Sequence, residues 1–461
     1  MIAHRLEVPP AVLRHLACTH PERYPALLDS VVAGPLGRMS ILAAMPVASL
    51  SLSRAGRLAG MGMTPDPAAT GFLDALERWW QAEAGAEVAG PAPMPVPGWI
   101  VFLSYEMAGE IEPRLQLPPT PLPWQAFALR TPCALVHVLD SGEVWAIAET
   151  EAGAALEAVM AEARALAPMA TAEPAPGVPP QFQVYEEDPA RYLERVRRAK
   201  EYIAAGDIYQ ANLSRPWRIE AADGALAAAS LYASLRQRNP APFAALVQWQ
   251  GAALLSSSPE RLLRVGDGEI DTRPIAGTRP RSHAPGGDSA EAAALVAHPK
   301  ERAEHIMLID LERNDLGKVC EAGTVCVDEL MVTETYAHVH HIVSNVRGRL
   351  RPGVTPIGAL RATFPGGTIT GVPKFRCMQI IAELEGEGRG AYTGSLGYLT
   401  RGGVMDLNIL IRTMTLMDGR VTLRAGGGIV ADSDPERELN ETRAKARGML
   451  RVFETPAGPG A

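Results

Sequence analysis

Four apolar runs constrain this chain more than any other feature: FAALVQW (243–249), AALLSSS (252–258), LNILIRTMTL (407–416) and VTLRAGGGIV (421–430). Each has the length and apolar content of a buried strand. Helical segments fall between them, so the class they dictate is mixed α+β with long sheets. The first third has the same character. GWIVFLSYEM (98–107) and EVWAIAET (143–150) read as strands, whereas FLDALERWWQAEA (72–84) and ALEAVMAEARAL (155–166) place apolar residues at helical spacing. Asp188-Pro189 offers an N-cap and a first-turn proline to RYLERVRRAKEYIAA, which runs to a stop at Gly206. There is no internal repeat.

The clearest seam is APMATAEPAPGVPPQF (167–182), where alanine and proline dominate and no apolar period survives. It divides an N-terminal region, residues 1–166, from a second region, residues 183–455, that carries the chemistry. With 461 residues and 47% hydrophobic content the chain can build one large core or two medium ones. The net charge is −8 and the 44 lysines and arginines are spread throughout, which excludes the footprint of a nucleic-acid binder and leaves a small-molecule role. Five cysteines without a CxxC pair argue against a zinc site or a disulfide framework and for a reducing compartment. The opening MIAHRLEVPP has no apolar signal region, and MSILAAMPVASLSLS is short of a membrane span and contains Pro46. The expectation is a soluble, cytoplasmic protein with no membrane partner.

HPKERAEHIMLIDLERNDLG (298–317) places Glu301 and Glu304 three apart on one helix face, followed by Ile306, Met307, Leu308, Ile309 and Leu311 as a buried run. A second E-x-x-E, Glu438 and Glu441, lies in DSDPERELNETRAKARGML (432–450). One such pair is ordinarily a solvated helix face. Two pairs brought to one cleft would repel unless a cation compensated them, and oxygen-only ligation with room for water and a substrate oxygen suits Mg²⁺. Between them, TFPGGTITGVPKFRCMQIIAEL (363–384) is a glycine-rich turn opening a helix, either an anion-binding helix start or a structural bend. It lacks the Walker spacing of a phosphate loop. AGGGIVADS (425–433) is a second glycine cluster, whose unshielded N–H groups permit close backbone approach. Arg412 can fork a carboxylate or make a structural salt bridge. His341 can serve a site or sit as a satisfied core histidine.

In their order along residues 184–455, SSSPERLL, PIAGTRPR, ERAEHIMLIDLERND, FPGGTITGVPK, IRT and GGGIVADS resemble the chorismate-utilising enzymes. YPALLDSVVAGPLGRMSILAAMP (24–46) is similar to the opening of the ammonia-using members. The resemblance implies a composite two-sheet antiparallel α/β sandwich with the active site between the sheets. It implies Mg²⁺ held by Glu304 and Glu441, with Glu301 and Glu438 in support, clamping the ring carboxylate of chorismate. Arg412 and Tyr392 resemble the pair that holds the enolpyruvyl carboxylate, aided by the N–H groups of Gly426, Gly427 and Gly428 and by Lys445. Glu260 resembles the general acid that protonates the departing 4-hydroxyl, a task for a carboxyl held protonated near neutral pH. His341, Thr368 and Gln210 match positions that line the ring pocket, and Ala276 and Thr278 lie in the PIAGTRPR segment beside them.

Two products remain open. Many aminodeoxychorismate synthases carry at the Ala276 position a lysine that attacks the ring, and a methyl cannot be a nucleophile. Anthranilate synthases carry alanine there. IYQANLS, FPGGTITG and AGGGIVADS instead resemble the aminodeoxychorismate branch more than FQVVLS, FPAGTVSG and AGAGIVADS of the anthranilate branch. Asp29 stands where tryptophan-inhibited members carry the glutamate of LLES. The expectation is component I of aminodeoxychorismate synthase, serving 4-aminobenzoate and folate synthesis and drawing ammonia from a glutamine amidotransferase subunit. The alternatives are component I of anthranilate synthase and a catalytically silent chorismate-binding subunit. A water-activating lysine, expected of isochorismate and salicylate synthases, is not evident.

Overall fold

The computed structural model describes residues 1–461 apart from 33, 35, 86–97, 171–181, 222–225, 282–294, 296, 336–338 and 455–461. Most of the Ala/Pro-rich seam therefore lies outside the described residues, as do the side chains of residues 278–280, 300 and 339. Among the described residues the strands form two sheets, one of twelve strands and one of eleven. Neighbouring strands in both sheets run antiparallel, so each strand can bury one face and still satisfy its backbone laterally.

The larger sheet runs from Ile2–Leu6 at one edge through Ala26–Asp29, Phe243–Trp249, Ala252–Ser258, Thr413–Met417, Arg420–Ile429 and Gln210–Ala221 to Phe182–Glu186 at the other. The smaller holds Arg261–Gly266, Glu269–Arg273, Ile275–Pro280, Val339–Arg349, Ser395–Leu399 and Met405–Ile409, together with Trp99–Leu103 and Trp124–Arg130. Chain from before residue 167 enters both sheets: Ala26–Asp29 pairs with Phe243–Trp249, and Trp99–Leu103 with Ser395–Leu399. The two lengths of chain on either side of the seam thus share their hydrogen-bond ladders.

Between the sheets lies an apolar layer built from both, including Ala26, Val247 and Leu254 from one and Ile100, Phe102, Phe127 and Leu396 from the other. Its aromatic rings interlock, with Trp124 edge-on to Phe127 at 4.8 Å and Phe127 tilted against Trp249 at 4.6 Å. Full burial of such rings stabilises by about 2–3 kcal/mol each. Helices cover the outer faces. Ala11–Thr19, Gly153–Leu166, Ala228–Arg238 and Pro435–Leu450 pack on the larger sheet, and Phe72–Glu83, Pro299–Gly317 and Pro356–Thr363 on the smaller. The result is an α+β sandwich of helix, sheet, sheet and helix.

Local signals act as the sequence suggests. Asp188 accepts the Ala190 N–H at 3.0 Å and caps Pro189–Ala204, and Gly206, at φ +82°, follows its end. Two expectations are corrected. LNILIRTMTL is not one strand: Met405–Ile409 belongs to the smaller sheet and Thr413–Met417 to the larger, the chain crossing between them at Leu410–Arg412, where Arg412 takes φ +50°. Ile306 is exposed rather than buried. The helical period brings His305, Leu308, Ile309 and Glu312 inward at three- and four-residue intervals and turns Ile306 outward.

Candidate active site

The two helices bearing acid pairs meet at the glycine run. Gly426, Gly427 and Gly428 stand opposite Ser214, Leu213 and Asn212 in the strand Gln210–Ala221. On the other side the neighbouring strand pairs only as far as Leu423, so past that point one edge of the run carries no strand. Alternate N–H groups there are turned away from the ladder.

A Cβ on Gly428 would lie 2.1 Å from Gln210 Nε2 and 3.4 Å from Glu304 Oε1. A Cβ on Gly427 would lie 3.4 Å from Glu438 Oε2 and 3.5 Å from Glu441 Oε1. Only a bare backbone leaves this space open. Gln210, buried, donates from Nε2 to Glu304 Oε1 at 3.2 Å, while its Oε1 has no hydrogen-bond partner. Lys445 donates to the Gly426 carbonyl at 2.9 Å and pairs with Glu441 at 2.7 Å. Asp434 caps the helix that supplies Glu438 and Glu441 by accepting the Arg437 N–H at 3.0 Å. Glu301, on the same helix as Glu304, reaches the PIAGTRPR strand, its Oε2 2.9 Å from where Gly277 would carry a Cβ.

Among the described residues no three acidic, histidine or cysteine side chains make a cage sufficient by themselves for a metal ion. That is not what Mg²⁺ requires, because it is usually held by one or two carboxylates with water and substrate oxygens completing the octahedron. Carboxylates from two helices, gathered at glycines, fit that donor set.

The second part of the site is buried. Glu260 follows the strand Ala252–Ser258 and is 4% exposed. Its Oε1 accepts the Thr368 hydroxyl at 2.8 Å and the Ile275 N–H at 3.5 Å. Burial pushes this carboxyl up to about 8, with the nearby Glu312 acting in the same direction and Arg412 against it. His341 lies opposite Thr278 across the strand pair, and Ala276, 7% exposed, opposite Ile342. Burial and then Arg412 depress the His341 imidazole to about 3, so it stays neutral. Arg412 therefore stands near both Glu260 and His341. Its backbone is held at φ +50°, a conformation that costs a non-glycine residue about 1 kcal/mol or more. The side chain of Thr278 lies outside the described residues.

Tyr392 stands at the glycine run, its hydroxyl 2.8 Å from a Cβ position on Gly426. Burial pushes this phenol up to about 12. Behind it the Arg389 guanidinium lies 5.6 Å from the Tyr392 ring and 4.8 Å from that of Tyr105. Glu385 fixes Arg389 at 2.7 Å and Arg424 at 2.9 Å. These supporting charges were not anticipated from the sequence, and neither was Glu312. Glu312 carries the one legible signal, lying two helical turns beyond Glu304 on the inward stripe.

The sequence profile of chorismate binding enzymes matches residues 63–451. The chain belongs to this family, the chorismate-utilising synthases that include the aminating enzymes. It is 43% identical over 359 residues to an anthranilate synthase component I-like protein of Synechocystis, covering 77% of this chain and 73% of that protein. It is 41% identical over 373 residues to an aminodeoxychorismate synthase of Streptomyces griseus, covering 79% of this chain and 51% of that protein. The crystal structure of anthranilate synthase component I from Streptococcus pneumoniae superposes with a TM-score of 0.78 at 32% identity, over 91% of this chain and 93% of that one. The menaquinone-specific isochorismate synthase of Escherichia coli shares the fold at 20% identity, with a TM-score of 0.71 over 98% of this chain and 94% of that one. Among the described residues no helix is long and apolar enough to cross a membrane.

Proposed function

We propose that the chain is the chorismate-aminating component of aminodeoxychorismate synthase, acting with Mg²⁺ and with ammonia from a glutamine amidotransferase subunit. The observation that carries the amination chemistry is Glu260, a buried carboxyl pushed up to about 8 and therefore able to arrive protonated at neutral pH. A subunit that only binds chorismate has no need of such a group.

Arg412, Tyr392 and the free edge of Gly426–Gly428 orient the enolpyruvyl carboxylate, and Gln210 meets the ring substituents with its open Oε1. Glu304 and Glu441, aided by Glu438 and Glu301, would hold Mg²⁺. When bound, the ion neutralises the ring carboxylate and fixes the ring. Glu260 gives its proton to the 4-hydroxyl as the carbon–oxygen bond breaks, and the oxygen leaves as water. Ammonia supplies the new carbon–nitrogen bond at carbon 4, and the proton it sheds returns to the Glu260 carboxylate, so the enzyme ends as it began.

The preference for carbon 4 rests on Gly366 and Gly427, at positions where the anthranilate branch carries alanine in FPAGTVSG and AGAGIVADS. A methyl on Gly366 would meet Ile409 Cδ1 at 2.7 Å, and one on Gly427 would fill the gap before Glu438 and Glu441. Ala276 favours a second reading, anthranilate synthase component I, in which ammonia attacks carbon 2 directly and pyruvate is eliminated.

Four of the five cysteines are poor nucleophiles here, which favours ammonia supplied by a separate subunit. Burial pushes Cys18, Cys133 and Cys320 up to about 11 and Cys377 to about 12, while Cys326 is exposed on a strand. The test is incubation with chorismate, Mg²⁺ and ammonium, with and without added aminodeoxychorismate lyase. 4-Aminobenzoate formed only with the lyase supports the proposal. Fluorescent anthranilate formed without it supports the second reading, and no turnover supports the silent subunit.

A further inference from the structure

Two buried carboxyls are fastened to one turn. Thr368 donates its hydroxyl to Glu260 Oε1 at 2.8 Å, and the preceding residue, Gly367, donates its N–H to Glu312 Oε1 at 3.3 Å. The far side is held in the same paired fashion. The Ile275 N–H reaches Glu260 at 3.5 Å, and the Thr272 hydroxyl, three residues earlier, reaches Glu312 Oε2 at 3.2 Å. Both side chains are almost fully buried, at 4% and 3% exposed. A Cβ on Gly367 would lie 2.9 Å from Glu312 Oε1, so the turn presses directly on that carboxyl.

We propose that Glu312 is a positioning residue for Glu260: a second buried carboxyl, tied to the same Gly367–Thr368 turn, that keeps the proton on Glu260 as the pH rises. The proposal rests on Glu260 acting as the acid. Like charges in one dry pocket cannot both form cheaply, so once one carboxyl ionises its charge holds the remaining proton on the other. The groups facing the pair divide by sign. Arg412 favours ionisation of Glu260. Asp315 opposes ionisation of Glu312 and Lys374 favours it. Lys374 is itself tied to Asp315, to the Thr363 carbonyl at 3.1 Å and to the Pro365 carbonyl at 2.7 Å, so its charge is partly spent elsewhere. Burial raises Glu312 above the ordinary carboxyl range, with Asp315 adding to it.

The test is a titration that needs no turnover. The carboxyl C=O infrared band of Glu260 is isolated as the difference between the wild-type protein and Glu260→Gln, and followed with pH in the Glu312→Gln background. The expected result is loss of the Glu260 proton about one pH unit lower when Glu312 is amidated, the coupling typical of interacting carboxyls. In turnover assays at constant free ammonia, the alkaline limb of kcat should move by the same amount, with KM for chorismate little changed. Glu312→Asp should restore most of the shift. An unchanged Glu260 titration in Glu312→Gln overturns the proposal even if the enzyme is active. A shifted titration in a protein without aminating activity upholds the coupling and removes the functional reading instead. Should Glu312→Gln fail to fold, Thr272→Val, which frees one oxygen of Glu312, provides the same comparison: a Glu260 titration displaced from that of the wild type upholds the coupling, and an unmoved one overturns it.

Discussion

The two ends of the cleft use the same side chain under opposite conditions. At the glycine run Glu304 and Glu438 are half-buried and Glu441 is exposed and ion-paired with Lys445, beside a backbone stripped of side chains. At the Gly367–Thr368 turn Glu260 and Glu312 are buried and held by neutral hydroxyl and N–H donors, with Arg412 acting from a distance on the first and Lys374 on the second. A carboxyl among water and a lysine is suited to meeting a cation, and one in a dry pocket is suited to delivering a proton. The difference teaches that the chemistry of each end is set by burial and partners, not by residue type.

The sharpest way to break that contrast is Glu260→Gln, which keeps the shape and removes the transferable proton. Steady-state assays should show kcat lower by roughly 10²- to 10⁴-fold, with chorismate binding retained. At the open end, Glu441→Gln removes a direct carboxylate and should raise the Mg²⁺ concentration needed for half-maximal turnover by at least the roughly 10- to 100-fold that losing an outer-shell partner costs, measured by metal titration with the fold checked by circular dichroism. Gly428→Ala places a methyl where Gln210 Nε2 now lies, 2.1 Å away. It should cost up to about a hundredfold in kcat/KM through a displaced pocket, with little change in melting temperature.

The gentlest test is pH. On the proposed reading Glu260 works protonated, and burial pushes its carboxyl up to about 8 from the ordinary 4.5. Activity at fixed free ammonia should therefore fall as the pH passes above about 8. The same shift contributes stability that is complete below the ordinary value and is lost as the pH rises through about 8. The melting temperature of the wild type should thus decline across that window relative to Glu260→Gln.

How much of this was legible in the sequence follows from the range of each signal. The E-x-x-E pairs and three of the four opening strand runs are local patterns that could be read directly, whereas LNILIRTMTL hides a crossing from one sheet to the other that its unbroken apolar character does not mark. The arrival of both acid-bearing helices at Gly427 and Gly428 is a long-range contact, visible beforehand only through the family resemblance. Ile306 looked buried because it begins an apolar run, yet one position of helical phase turns it outward. Glu312 looked like one more charge in LERND, and only the packing of Gly367 and Thr272 against it shows that it is buried. Nothing in residues 1–166 announces that their strands complete both sheets, since strand pairing across hundreds of residues leaves no local mark.

The central claim is that a protonated carboxyl and a cation-ready acidic edge cooperate to put nitrogen on the ring of chorismate. The most direct measurement is turnover of chorismate with isotopically labelled ammonium, with and without Mg²⁺, and with the product read by mass spectrometry and nitrogen NMR. The account predicts Mg²⁺-dependent consumption with the label bonded to a ring carbon, lost in Glu260→Gln. Chorismate consumed to an unlabelled, oxygen-only product, or labelled equally well by Glu260→Gln, would contradict it.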